Sequence, residues 1–94
     1  MILAKIIAKG RVQGVFYRAT VREIANKIGV GGYVRNLPNG DVEVVCECKD
    51  EEQLHEFVKA IEIKNNFGPY TEEIKVVKKQ EKRGSTSTDF VIIY

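Results

Sequence analysis

No run of apolar residues in this 94-residue chain approaches the roughly 18–20 that a bilayer crossing needs. The opening Met1-Ile2-Leu3-Ala4 is followed by Lys5 and Lys9 without a cleavage-site pattern, so no secretory leader is expected. An excess of either charge sign is lacking as well. Fifteen Lys and Arg against 13 Asp and Glu leave a formal charge of +2, far from the basic stripes that nucleic-acid binding usually requires. Histidine occurs once and cysteine twice, too few for a zinc site within the chain. Cys46 and Cys48 stand two apart in a strand-like stretch, so they point to one side and cannot easily bridge each other. Reduced, buried thiols in a cytoplasmic protein are the better reading. There is no low-complexity linker and no internal repeat. The expectation is one domain over residues 1–94, with a single core.

What is present is a regular alternation of strand and helix signals. Ile2 to Ala8 is apolar at every position except Lys5, which suits an interior strand. Val21, Ile24, Ala25 and Ile28 fall on one helical stripe, with Arg22, Glu23, Asn26 and Lys27 opposite, and Gly29 supplies a helix stop. Gly31 to Leu37 reads as a second strand, and Asn39-Gly40 is a strong hairpin signal. Asp41 to Lys49 then alternates, with Val42, Val44, Cys46 and Cys48 on one side and Asp41, Glu43, Glu47 and Lys49 on the other. Asp50 and Gln53 form a plausible capping box before the stripe Leu54, Phe57, Val58 and Ile61. A loop through Gly68-Pro69 leads to a strand over 73–79, and a polar loop over 81–88 precedes a short last strand, Phe90 to Tyr94. The order βαββαβ plus a short terminal strand predicts an α+β, ferredoxin-like two-layer sandwich. Both helices should cover one face of an antiparallel sheet.

The stretch Gly10-Arg11-Val12-Gln13-Gly14-Val15-Phe16-Tyr17-Arg18 lies between the first strand and the first helix. Unpaired N–H groups and the helix dipole favour an anion at a helix start, and a glycine turn lets those donors curve around it. On spacing alone, two readings stand: a phosphate or carboxylate cradle, or an ordinary βα turn carrying a surface arginine.

That stretch resembles the loop of the acylphosphatase family, Gly-x-Val-Gln-Gly-Val-x-x-Arg. A second family block, Gly-x-Val-Arg-Asn-x-x-[Asp/Asn]-Gly-x-Val-Glu, is matched from Gly32 through Glu43, and Gly68-Pro69 matches a further dipeptide. The resemblance covers essentially the whole chain. It implies hydrolysis of small acyl phosphates to carboxylate and inorganic phosphate, with no metal and no cofactor. It also implies sheet order four, one, three, two, with the terminal strand added at an edge. By the same resemblance, Arg18 binds phosphate together with the backbone N–H groups of Gln13, Gly14, Val15, Phe16, Tyr17 and Arg18. Asn36 would orient the attacking water.

These residue types suit the chemistry. Phosphoryl transfer asks the protein for positioning and charge stabilisation, which an arginine fork and a row of N–H donors supply. An asparagine amide both donates to and accepts from water but is no general base near neutrality. The plainer roles are a solvated first-turn residue for Arg18 and a turn former for Asn36. A cation at a helix N-terminus is electrostatically disfavoured, however, unless an anion sits between. Arg11 reads as a solvated loop residue, with a peripheral substrate contact as its alternative, Phe16 and Tyr17 as packing residues rather than substrate contacts, and His55 as a surface residue beside Glu51, Glu52 and Lys59. Gly14 is expected to provide close backbone approach or a positive φ. The tail Val91-Ile92-Ile93-Tyr94 lacks the basic residue common near the family's end, which puts contact between that tail and Arg18 in doubt.

Two other functions fit the element order. An RNA-binding module of this topology stacks bases on aromatics of its first and third strands, but Asp41 to Cys48 is acidic and has none. A non-catalytic anion-binding regulatory module of the same fold is the stronger alternative, because fold does not decide function. The expected partner is a small acyl phosphate, with no nucleic acid or membrane, and the default oligomeric state is a monomer.

Overall fold

A computed structural model describes residues 1–94. The elements are β1 (Ile2–Arg11), α1 (Tyr17–Ile28), β2 (Gly31–Asn36), β3 (Val42–Cys48), α2 (Glu51–Ala60), β4 (Tyr70–Glu81) and β5 (Phe90–Ile93). The sheet order is β4-β1-β3-β2-β5. The sandwich is the expected one, with one difference. β5 runs parallel to β2 while every other pair is antiparallel. The segment after β4 crosses from one sheet edge to the other, so β5 arrives in the direction of β2. No helix is long and apolar enough to cross a membrane.

The core lies between the sheet and the helices. Ile2, Ala4, Ile6 and Ala8 of β1 are buried with Val42, Val44, Cys46 and Cys48 of β3, and Tyr17, Val21, Ala25, Leu54 and Phe57 come down on them from the helices. Period-two alternation on the strands and period-3.6 stripes on the helices thus meet on one surface. The two thiols fill that core, unbridged, with Sγ atoms 3.9 Å apart. The neighbouring Cys48 thiol and burial push the Cys46 thiol up from its ordinary range.

Local signals shape the ends. Gly29 adopts φ 89° and its N–H donates to Ala25 O at 2.8 Å, closing α1. Asp50 accepts from Gln53 N–H at 2.8 Å, but the Gln53 side chain reaches back to Lys49 N–H rather than to the cap residue. Its amide also donates to Ile28 O at 3.1 Å, joining the start of α2 to the end of α1.

Residues 37–41 connect β2 to β3, and inside the Leu37–Asp41 pair lies a three-residue turn, Pro38, Asn39 and Gly40. Gly40 N–H donates to Leu37 O at 3.2 Å and Leu37 N–H to Asp41 O at 2.8 Å, and Gly40 alone in the turn has a positive φ, 96°. This is a type I turn closed by a bulge glycine, not the two-residue Asn-Gly turn. Pro38 accounts for the difference: its ring holds φ near −65°, which favours the first inner position of a type I turn.

Candidate active site

β1, β2 and β5 point in one direction, so their C-terminal ends reach the same end of the sheet. Ala8 and Asn36 both pair with Val42, one on each side of it. Beyond Ala8 the chain leads into Val12–Phe16 and α1, and beyond Ile93, which is in register with Arg35, comes Tyr94. Topology therefore gathers the loop, Asn36 and the aromatic Tyr94 from three separate stretches of sequence.

The loop is a row of open donors. No backbone N–H from Gln13 through Ala19 donates to a backbone carbonyl; the first helical bond runs from Thr20 N–H to Phe16 O, at 3.1 Å. The cap position, Phe16, has no side-chain acceptor for those groups, and the first turn of α1 contains no acidic residue. Such an end carries uncompensated partial positive charge and suits an anion. Gly14 has φ 74°, and a Cβ built there would meet nothing within 4 Å, so the positive φ rather than close approach calls for glycine. Phe16 adopts a left-handed φ of 63° without being glycine, and its side chain is 85% exposed. The packing role expected for Phe16 is therefore wrong: the cap geometry turns its ring outward. Tyr17, in contrast, is buried, and its hydroxyl donates to Ile61 O at 2.8 Å. Burial first, and the Glu62 charge second, push the Tyr17 phenol well above its ordinary range, so it stays a protonated donor.

Arg18 is held from the tail. Its Nη1 lies 3.4 Å from Ile93 O, and its guanidinium sits 4.8 Å from the centre of the Tyr94 ring. The tail thus reaches Arg18 without the basic residue, through a carbonyl and a ring face. A cleft of about 320 Å³ opens here, lined by Gly14, Phe16, Arg18, Ile92 and Tyr94 among others. Asn36 does not line it. Alternation from the buried Val34 turns Asn36 to the helix-covered side of the sheet, and its Oδ1 is the one buried side-chain nitrogen or oxygen without a hydrogen-bond partner.

Two residues do more than the sequence suggested. The Gln13 amide donates to Leu37 O and Asp41 O, each at 2.8 Å. Arg11 ends β1 rather than lying in the loop and, although exposed, its side chain is engaged rather than free in solvent. Its guanidinium donates to Gly68 O at 2.7 Å, Asn66 O at 2.9 Å and Asn65 O at 3.0 Å, clamping the loop before β4. Neither contact is local in sequence, and no motif spacing signals either one.

A family model described as Acylphosphatase matches residues 4–92. The chain belongs to the acylphosphatase family. An acylphosphatase of Pseudothermotoga lettingae is 40% identical over 84 residues, which is 89% of this chain and 89% of that relative. An acylphosphatase of Rubrobacter xylanophilus is 56% identical over 43 residues, 46% of this chain, and the match spans only 39% of that relative's length. Among solved structures, the acylphosphatase of Bacillus subtilis superposes with a TM-score of 0.86 at 33% identity over 100% of both chains. The family likeness therefore extends from the motifs to the whole sheet and both helices.

Proposed function

We propose that this chain, acting as one domain over residues 1–94, hydrolyses small acyl phosphates to a carboxylate and inorganic phosphate. Arg18 and the backbone N–H groups of Gln13, Gly14, Val15, Phe16, Tyr17 and Arg18 hold the phosphoryl oxygens. Asn36 holds the water. Its oxygen attacks phosphorus as the bond from phosphorus to the acyl oxygen breaks, and the carboxylate leaves with the bonding electrons. Charge on the transferring group stays spread over oxygens that already face fixed donors, so little reorganisation accompanies the step. The acyl-phosphate bond is activated, and Asn36 cannot serve as a base. The water proton therefore passes to the phosphate itself, and orientation supplies most of the rate.

The observation that carries this reading is the unpartnered Asn36 Oδ1 at the sheet end where the donor loop begins. A buried amide oxygen without a partner costs stability, about 1–3 kcal/mol, and a water-orienting role accounts for keeping it. The free thiols are in keeping with a reducing, cytoplasmic setting, and a monomer is sufficient because every assigned group comes from one chain.

The test is phosphate release from acetyl phosphate, with chelator present. The intact protein should turn over, and Arg18→Ala and Asn36→Ala should each lose about 100-fold or more while remaining folded. No turnover by folded protein, or full activity in both variants, overturns the proposal. Phosphate binding without turnover would favour the anion-binding regulatory module instead.

A further inference from the structure

The Gln13 side chain has a geometry that the donor role of its backbone does not use. Its Nε2 stands 2.8 Å from Leu37 O and 2.8 Å from Asp41 O, contacts that span 24 and 28 residues of sequence. Both acceptors are carbonyls, so only the NH₂ end of the amide can face them, and both of its hydrogens are in use. These two carbonyls close the base of the β2–β3 hairpin, where Leu37 N–H also donates to Asp41 O. Leu37 directly follows Asn36. One primary amide therefore ties the loop that presents the N–H row to the segment that presents the water-holding asparagine.

We propose that Gln13 is a positioning residue: its side chain sets the distance and angle between the phosphate cradle and the water held by Asn36. The inference rests on the acyl-phosphate reading above. The sheet alone does not fix this relation. Register holds Ala8 and Asn36 on either side of Val42, but the chain then leaves the sheet, and the donor row begins beyond the last ladder pair of β1, Arg11 with Tyr70. Beyond the β1–β3 ladder, the side-chain tie from β1 to the turn end of this hairpin is the ion pair of Lys9 with Asp41 at 2.7 Å, whose lysine side chain is 46% exposed. Water screens and loosens such a pair. A half-buried, doubly donating amide is stiffer. Asparagine would be too short to span the gap, and glutamate would lack both hydrogens.

This role separates binding from turnover. The N–H row and Arg18 bind phosphate whether or not the water stands at the right angle, whereas attack requires the alignment. A misplacement on the order of 1 Å costs about 100-fold in rate. Gln13→Ala should lower kcat for acetyl phosphate by about 10- to 100-fold. The inhibition constant of inorganic phosphate should stay within about twofold, because loop donors and guanidinium are retained. In the Asn36→Ala background, Gln13→Ala should cause less than about twofold further loss, since the group it positions is gone. Gln13→Glu is isosteric and keeps a folded measurement available. Ionised, it lacks both donors; protonated, it regains one. Its activity relative to the unaltered protein should therefore rise as pH falls through the carboxyl range. The inference is overturned by equal losses of kcat and phosphate affinity, by additivity with Asn36→Ala, or by a pH-independent ratio for Gln13→Glu. Absence of turnover in the unaltered protein would instead sink the acyl-phosphate reading, so the two failures are distinguishable.

Discussion

The Arg18 guanidinium lies 4.8 Å from the centre of the Tyr94 ring, with Nη1 3.4 Å from Ile93 O. The hydrogen bond is at the long end of useful geometry, so the ring face contributes much of what orients the fork. A cation held over an aromatic ring at an exposed site gains about 0.5–1 kcal/mol. These contacts orient the fork within the chain itself, and for the phosphate-binding role proposed above a long, rotamer-rich side chain gains most from being set in advance.

Tyr94→Ala should therefore weaken phosphate binding by about two- to fivefold, the equivalent of that cation–π energy. The rate at saturation should change little, because on the proposed reading the variant keeps the guanidinium itself. Calorimetric titration with inorganic phosphate alongside steady-state kinetics separates the two quantities. An unchanged affinity would mean that the ring does not orient Arg18.

Phe16 carries left-handed strain in the middle of the donor loop, at φ 63°. For a non-glycine residue that conformation costs about 1–2 kcal/mol, and the exposed ring recovers little by packing. Phe16→Gly removes the strain but makes the unfolded chain freer by about 0.4–1 kcal/mol. The net should be a stabilisation of about 0.5–1 kcal/mol, or a few degrees in melting temperature for a chain of this size. Thermal unfolding checks it, and a lower melting temperature would mean that the ring packs in solution.

Several features were legible in the sequence for a physical reason. α1 and the alternation of β3 follow from periodicity, because burial on one face imposes it. Gly14 was legible as a backbone position with positive φ, and the two motifs of fixed spacing that contain Arg18 and Asn36 were legible as those of the family; the roles of the two side chains are the proposal above. What could not be read has a common cause: it depends on contacts between distant stretches. Arg11 looks like any charged loop residue until the 64–69 loop folds over it. Phe16 looks like core until its φ turns the ring outward. β4 extends to Tyr70–Glu81, well beyond the expected 73–79, because its pairing with β1 supports residues whose own pattern is mostly polar. Glu43 sat correctly on the polar side of β3 but is only 5% exposed, since Tyr33, Arg35 and Lys5 close around it.

The Arg11 clamp predicts a local effect. Arg11→Ala strips Asn65, Asn66 and Gly68 of their guanidinium donor. These contacts are exposed, so water replaces part of them and the loss should be about 1 kcal/mol. Amide exchange at Phe67 and Gly68 should quicken, while phosphate release stays close to that of the unaltered protein. Lysine should not rescue, because a point charge cannot span three carbonyls as a fork does. Unchanged exchange in this loop would show that the clamp contributes nothing to it.

Glu43 predicts the acid behaviour of the open sheet face. Burial pushes its carboxyl up, but the Arg35 hydrogen bond at 2.9 Å, the Arg35 and Lys5 charges and the Tyr33 hydroxyl outweigh that and hold it below its ordinary value. A carboxyl depressed in the folded state stabilises above its unfolded pKa, about 4.3, and that stability is lost as pH falls through the folded value. Arg35 and Lys5 are half-exposed, at 47% and 43%, so the contribution is discounted for screening to about 1 kcal/mol. Glu43→Gln should be less stable than the unaltered protein at neutral pH by about that amount, with the gap closing in acid, below the ordinary carboxyl range. Urea midpoints at neutral and acid pH decide it. A gap that persists in acid would trace the difference to packing and hydrogen bonding of the amide rather than to the charge.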